Sequence, residues 1–268
     1  MRNKKRGLQF HIAISFVAVI IALVLWGLIR TPYDPKVMDV SLKLAKSSAD
    51  HLLGCDQFGR DILSRILVGI RTTLMIALGT NLIGAFIGLL VGAVTGYFGG
   101  LADEVLMRFN DAVLSFPSIL LSLVIIALLG SGTYQITIAM GIVFVPSYAR
   151  IIRSEFMKCR NMDYVQSVRL MGAGALRIMF IHILPNIRVT LLTSLVIGFN
   201  NAVLCEAALS FLGIGVQPPQ ASLGLMLSDA QAYLFARPGY ALTVGFFMVF
   251  LILSFALLSD ALREDAHA

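Results

Sequence analysis

Long apolar blocks, separated by more polar stretches, recur along the whole chain. The first, residues 12–29 (IAISFVAVIIALVLWGLI), approaches the roughly 20 residues that a bilayer-crossing helix needs. Further blocks follow at about 74–98, 114–130, 135–152, 189–211 and 240–258. This pattern predicts an all-α integral membrane protein with six transmembrane helices.

Composition agrees, since 58% of the 268 residues are hydrophobic and only 13% are charged, outside the range of soluble globular domains. The net charge of +6 does not point to nucleic acid, because most of the excess sits in two clusters beside apolar blocks. Arg2, Lys4, Lys5 and Arg6 precede the first block. Arg150, Arg153, Lys158, Arg160, Arg169, Arg177 and Arg188 crowd residues 150–188, against only Glu155 and Asp163. The positive-inside rule places both clusters, and with six spans both termini, in the cytoplasm. The stretch 31–71 opposes this with six basic residues among five aspartates, and the two clusters outweigh it. A cleaved signal peptide is the alternative for the first block, but its apolar run exceeds the usual h-region of about 7–15 residues and no A-x-A site follows. The organisation expected is a cytoplasmic N-terminus at 1–11, a retained span at 12–29 and an extracytoplasmic loop at 30–71. A core at 72–259, with a cytoplasmic loop at 153–188, and a cytoplasmic tail at 260–268 complete it.

Within the second span Gly84, Gly88, Gly92 and Gly96 recur every four residues, which aligns them on one helix face and lets another helix approach closely. A glycine hinge is the other use of such a run. Polar residues inside the spans are few: Asn81, Asn200, Asn201 and Glu206. Glu206 is a candidate pathway group, because hydrocarbon penalises a charge by a few kcal/mol unless it faces a partner or water. A structural carboxylate near the interface is the alternative.

Several chemistries lack the residues to perform them. No Gly-Lys dipeptide occurs, so the P-loop cradle for nucleotide phosphates is absent. Neither a G-x-S-x-G elbow nor an S-x-x-K motif is present. Cys55, Cys159 and Cys205 are far apart, and His11, His51, His182 and His267 are scattered, so neither a disulfide framework nor a metal site is indicated. An enzyme, or a pump acting alone, is disfavoured.

Between the fourth and fifth spans stands DYVQSVRLMGAGALRIMFIHILPNI, residues 163–187. Read as a helix, it places Val165, Val168, Met171, Ile178, Ile181 and Leu184 in an apolar stripe, with Arg169 and Arg177 off it. Gly172-Ala173-Gly174 predicts a break into two short helices, since each helical glycine costs about 1 kcal/mol relative to alanine. Pro185 suits the first turn of the next span, where a missing N–H is harmless. Such a segment needs something to dock against, either a partner protein or lipid headgroups.

The spacing from Gly172 to Leu184-Pro185 resembles the cytoplasmic loop of the permeases of ATP-binding-cassette importers, with Gln166, Ser167 and Val168 in its E-A-A positions. The resemblance extends to the peptide and nickel branch of that family. His51-Leu52-Leu53-Gly54, Asp56 and Gly59-Arg60-Asp61 are similar to its H-L-L-G-T-D-x-x-G-R-D, with Cys55 in place of threonine, and Arg65 and Gly69 continue it. His182-Ile183-Leu184-Pro185-Asn186 reproduces H-I-L-P-N, and Glu206 through Gly213, with Gln217-Pro218-Pro219, resembles E-A-A-L-S-F-L-G-x-G-x-Q-P-P. Leu223-Gly224 replaces the usual Trp-Gly, and 232–239 is shorter than its counterpart.

What the resemblance implies is a type I importer permease fold, with core helices preceded by one extra span and a cytoplasmic coupling helix. A second, related permease would supply the other half of the pathway. Two cytosolic ATPase subunits, carrying ATP and magnesium, and an extracytoplasmic substrate-binding protein would complete the machine in a bacterial or archaeal plasma membrane. This chain would carry no cofactor. Coupling would fall to Gln166, Ser167 and Val168, to Gly172, Ala173 and Gly174, and to His182, Leu184, Pro185 and Asn186. Asp56, Gly59, Arg60 and Asp61 would lie on the binding-protein side, with Arg60 and Asp61 as a structural pair. Asn200, Asn201 and Glu206 stay pathway or structural candidates. The implied cargo is a di- or oligopeptide, or alternatively nickel or a metal chelate. A proton-coupled transporter using Glu206 and a scaffold protein are the readings from other classes.

Overall fold

The computed structural model describes the backbone of residues 2–266 and the side chains of residues 11–261. His267 and the side chains of Arg2, Lys4, Lys5 and Arg6 lie outside the described residues. The order of helices is α1 (Arg2–Ile29), α2 (Ile62–Phe98), α3 (Gly100–Leu114), α4 (Ser118–Leu129), α5 (Thr133–Cys159) and α6 (Asp163–Leu170). A short α7 (Ala175–Arg177) runs into a π-helical turn (Ile178–Ile183), and α8 (Arg188–Phe211), α9 (Leu223–Gln231) and α10 (Pro238–Ala266) follow. Among the described residues, α1, α2, α5, α8 and α10 are long and apolar enough to cross a membrane, and α3 with α4 makes a sixth crossing only as a pair bent by 92°.

Two spans differ from the hydropathy reading, and each difference has a local cause. The second helix begins at Ile62 rather than near 74, and its 37 residues reach about 55 Å, well past a hydrocarbon core of roughly 30 Å. Asp61 starts it early, because its Oδ2 accepts from the Ser64 N–H (2.8 Å) and hydroxyl (2.7 Å) in an N-cap. Arg65, which interrupts the apolar run, does not end the helix, since it is buried beside Asp56. The preceding loop therefore ends at 61 instead of 71. The third span, expected as one helix over 114–130, is an elbow. Pro117 disfavours helical geometry at Phe116, the chain turns there, and the 12 residues of α4 reach only about 18 Å.

The centre of the bundle is a seam between α2 and α5. A Cβ added at Gly88 would fall 2.5 Å from Tyr148 Cβ, at Gly92 2.6 Å from the Ala149 carbonyl, and at Gly96 2.6 Å from the Arg153 carbonyl. The four-residue glycine stripe is thus a groove that admits the backbone of another helix, as its spacing predicts. Gly141 of α5 returns the contact, lying against Ile83 of α2. Around this seam Ile66 and Ile70 of α2, Met140 of α5, Phe199 and Val203 of α8 and Leu251 of α10 form the main core. α1 lies at the edge and stacks Phe16 on Phe250 of α10 at 5.0 Å.

One end of the bundle is closed by the 30–61 loop. Asp56 is its hub, fully buried, with Oδ1 accepting from the N–H groups of Phe58 (2.8 Å) and Arg60 (3.0 Å). Its Oδ2 accepts from Arg60 Nε (2.7 Å) and faces Arg65 Nε at 3.4 Å. Asp61 does not pair with its neighbour Arg60 as the sequence suggests; it lies 3.0 Å from His51 Nδ1 while capping α2, and Arg60 turns to Asp56 and, at 3.8 Å, to Asp229. The two side chains are already claimed by different partners. Gly59 has φ +75°, and any Cβ there would overlap the Asp39 carbonyl, so the loop closes only with glycine. Burial, reinforced by Asp61, Asp56 and Asp39, pushes the Cys55 thiol up to about 11. The thiol stays protonated at neutral pH.

Two outcomes follow for stability in detergent. Gly92→Leu should cost at least the roughly 1–3 kcal/mol of an overpacked core, whereas Gly245→Ala, whose Cβ meets nothing within 4 Å, should leave the melting temperature unchanged or higher. Equal melting temperatures for the two variants would dismiss the seam. Asp56→Ala strands two buried arginines and should cost about 3–5 kcal/mol, read in the same melting experiment; a loss under about 1 kcal/mol, the level of a surface pair, would contradict the hub.

Candidate functional site

At the end opposite the 30–61 loop, residues 160–187 cover the termini of α2 and α5. Arg160 Nη1 donates to the Gly96 carbonyl (3.3 Å), and the Arg169 guanidinium lies 5.7 Å from the centre of the Tyr97 ring. The segment breaks where its glycines predict. Gly172 adopts φ +83°, a conformation that side chains disfavour, and its N–H donates to the Arg169 carbonyl (3.0 Å) to close α6. Val165, Ile178, Met179 and Ile183 are buried in a second core with Ala93 of α2 and Ile152 and Phe156 of α5.

The apolar stripe read from the sequence is only partly inward. Val165 and Ile178 are interior, Val168 and Leu184 half-buried, but Met171 and Ile181 are exposed. The left-handed Gly172 and the π-helical turn reset the helical phase between the two halves, so one spacing cannot serve both. Outward stand Leu170, 90% exposed, with Met171 and Leu176. Gly172 and Gly174 face open space, and Ala173 packs half-buried on the second core. Gln166 donates to the Asn161 carbonyl (3.1 Å) and Ser167 to that of Asp163 (2.9 Å), both local contacts. Pro185 sits in the turn before α8 rather than in its first helical turn, because the π-helical turn carries the chain on to Ile183. Asn186 Nδ2 donates to Tyr164 Oη (3.2 Å) and reaches Cys159 Sγ (3.7 Å), tying α6 to the approach to α8. His182 is half-buried in the π-helical turn.

A cleft of about 350 Å³ opens between the α3–α4 elbow, α5 and α8. Phe116 and Ser118 of the elbow, Ser147 of α5, and Ser194 and Asn201 of α8 line it, and no charged side chain does. Asn201 thus faces the cleft. Asn200 does not, and its buried Oδ1 has no hydrogen-bond partner among the described residues. Asn81 is held inside the bundle, its Oδ1 accepting from Tyr148 and its Nδ2 donating to the Ala77 carbonyl (2.9 Å). Arg150 and Asp111 (2.6 Å) and Arg153 and Asp103 join the elbow to α5.

Glu206 is fully buried and absent from the cleft wall. Its Oε1 accepts from Ser210 (2.7 Å) and Ser222 (2.7 Å), its Oε2 from Thr73 (3.3 Å), and the Gly224 N–H donates to it as well. The carboxylate therefore sits at the N-terminus of α9, where the helix dipole favours negative charge. The sequence reading missed α9 and the partners Thr73, Ser222 and Gly224. The available signal was Ser222 before Leu223-Gly224-Leu225-Met226, an N-cap ahead of an apolar run, and the Ser222 hydroxyl does accept from the Leu225 N–H (3.0 Å). Asp56, Gly59, Arg60 and Asp61, expected on the binding-protein side, form the inner scaffold of the 30–61 loop.

Comparison with known proteins places this architecture. The family described as binding-protein-dependent transport system inner membrane component matches residues 84–265. The glutathione transport system permease protein GsiD of Pectobacterium atrosepticum is 35% identical over 264 residues, 97% of this chain and 88% of that protein. The di/tripeptide transport system permease protein DppC of Pseudomonas aeruginosa is 38% identical over 265 residues, covering 96% and 85%. The nickel transport system permease protein NikC of Escherichia coli is 33% identical over 258 residues, covering 96% and 92%. Among solved structures, an inward facing conformation of the MetNI methionine ABC transporter matches with a TM-score of 0.61 at 19% identity, over 74% of this chain and 95% of that one, a likeness of fold. A multi-pass helical bundle, a family match over most of the chain and near full-length relatives together establish that this chain belongs to the inner membrane components of binding-protein-dependent transport systems, the permeases of ABC importers.

Proposed function

We propose that this chain forms half of the translocation pathway of an ATP-driven importer of di- or oligopeptides, with residues 163–187 as its joint to an ATPase. The single observation that carries this is the two-faced build of that segment. One face is locked into the core with α2 and α5, and the other presents Leu170, Met171 and Leu176 to the outside without a partner among the described residues. An apolar edge held on a rigid base converts the movement of a docked subunit into movement of the helices beneath it.

In this reading the 163–187 end and both termini are cytoplasmic, and the 30–61 end faces an extracytoplasmic substrate-binding protein. Two cytosolic ATPase subunits hold ATP and magnesium and perform the hydrolysis. A second, related permease covers the open side of the cleft. Gly172, Ala173 and Gly174 shape the docking edge, while His182, Leu184, Pro185 and Asn186 carry its motion towards α8; Gln166, Ser167 and Val168 lie on the connecting helix. The cleft has hydroxyl and amide groups and no fixed charge, which suits peptides whose side chains vary in sign. The nickel permease relative supports a second reading, the same machine carrying nickel or a metal chelate.

Proteoliposomes containing the two permeases and the ATPases, supplied with the binding protein, test this directly. Labelled dipeptide should accumulate only with internal ATP, and accumulation of radioactive nickel instead would favour the second reading. Gly172→Pro cannot adopt φ +83° and should abolish uptake while ATP hydrolysis and complex abundance persist. A cysteine at Leu170 should crosslink to an ATPase subunit. Uptake driven by a proton gradient without ATP, or normal uptake by Gly172→Pro, would reject the proposal.

A further inference from the structure

Helix α9 has only nine residues, too few to hold a helix by itself, yet it is fastened at both ends to different parts of the molecule. At its N-terminus the Ser222 hydroxyl and the Gly224 N–H donate to Glu206 of α8. The Leu223 N–H donates to Thr73 Oγ1 of α2 (3.1 Å), and the Thr73 hydroxyl donates in turn to Glu206. Near its C-terminus Asp229 faces Arg60 of the 30–61 loop at 3.8 Å and hydrogen-bonds to Gln57 of the same loop. At the first fastening α9 lies directly on α8, since a Cβ at Gly224 would fall 2.7 Å from Ala207 Cα. The stretch of α8 just before this contact, Asn201, Leu204 and Cys205, belongs to the cleft wall.

We propose that α9 is a rigid strut carrying a load placed on the 30–61 loop to the cleft-lining part of α8, with Glu206 and Asp229 as the positioning residues that clamp its two ends. The proposal rests on the importer reading, in which that loop meets the substrate-binding protein. Glu206 makes a stiff joint because its four hydrogen-bond contacts, from Thr73, Ser210, Ser222 and Gly224, come from α2, α8 and α9 at once. No solvent reaches the carboxylate to replace a broken contact. A packed interior of this kind shifts as a body instead of deforming gradually, so displacement of Arg60 and Gln57 moves α9, and α9 moves α8. A helix that only filled space would need no ion pair to the loop.

The test uses the assembled complex in lipid nanodiscs, with binding protein charged from a tryptic casein digest containing nickel chloride. ATP hydrolysis is measured with and without that binding protein. In wild type the binding protein stimulates hydrolysis. Asp229→Asn and Glu206→Ala should each cut the stimulation by about fivefold or more while leaving unstimulated hydrolysis unchanged, and Glu206→Gln, which keeps acceptor capacity, should recover part of it. If Glu206→Ala does not assemble, Asp229→Asn at the solvent end decides alone. Stimulation equal to wild type in Asp229→Asn overturns the strut and leaves the importer reading standing. A wild-type complex that is never stimulated overturns both.

Discussion

The backbone contact between α2 and α5 is the constraint on which the rest of this molecule depends. In a bilayer, lipid chains are as apolar as leucine, so helices gain little from merely hiding hydrocarbon and must instead fit closely. Here Gly84, Gly88, Gly92 and Gly96 remove side chains along three turns of α2, and Phe144, Tyr148, Ile152 and Phe156 of α5 settle into the groove. That pair then organises both ends. Its upper extension, Ile62 to Thr73, enters the 30–61 loop and meets α9, and its lower end carries α6 and the π-helical turn.

Polar groups are treated differently at the two ends, and the difference follows the roles proposed for them. At the 30–61 end the charges turn inward. Asp56, Arg60, Asp61 and Arg65 are all buried and partnered by one another, by His51, by Ser64 or by Asp229, an arrangement that fixes geometry at a high desolvation cost. At the 163–187 end the interior is apolar, held by Val165, Ile178, Met179 and Ile183, and the outer edge carries Leu170, Met171 and Leu176 beside the exposed Arg169 and Arg177. The first arrangement makes a rigid cap. The second makes a rigid base with a free edge.

Features set by short-range pattern were legible in the sequence. The glycine stripe, the fifth span at 189–211 and the break at Gly172 all follow from local spacing or backbone conformation, and all are present. What failed depended on distant partners. Residues 62–71 read as loop because Arg65 and Arg71 stand among them, and Asp56, which faces Arg65, lies in the loop before the helix. Arg60 and Asp61 read as a pair because they are adjacent and opposite in charge, yet Asp56, His51 and Asp229 bind them more favourably placed. Pro117 sits inside an otherwise unbroken hydrophobic block, so hydropathy passed over the elbow that it makes. Glu206 illustrates the same limit: the sequence left it a pathway or a structural candidate, and only folding brings Thr73 and Ser222 to it.

The account of function turns on whether residues 163–187 move as one body with α2. Pulsed electron spin resonance on the assembled complex, with spin labels at the exposed positions Leu170 and Val94, measures this in the nucleotide-free and ATP-bound states. A second pair at Phe116 and Leu204 spans the cleft and reports whether the pathway has changed. The account predicts that the Leu170 to Val94 distance stays the same while the Phe116 to Leu204 distance shifts with ATP. A Leu170 to Val94 distance that shifts along with the cleft would show a joint inside the segment and contradict rigid coupling.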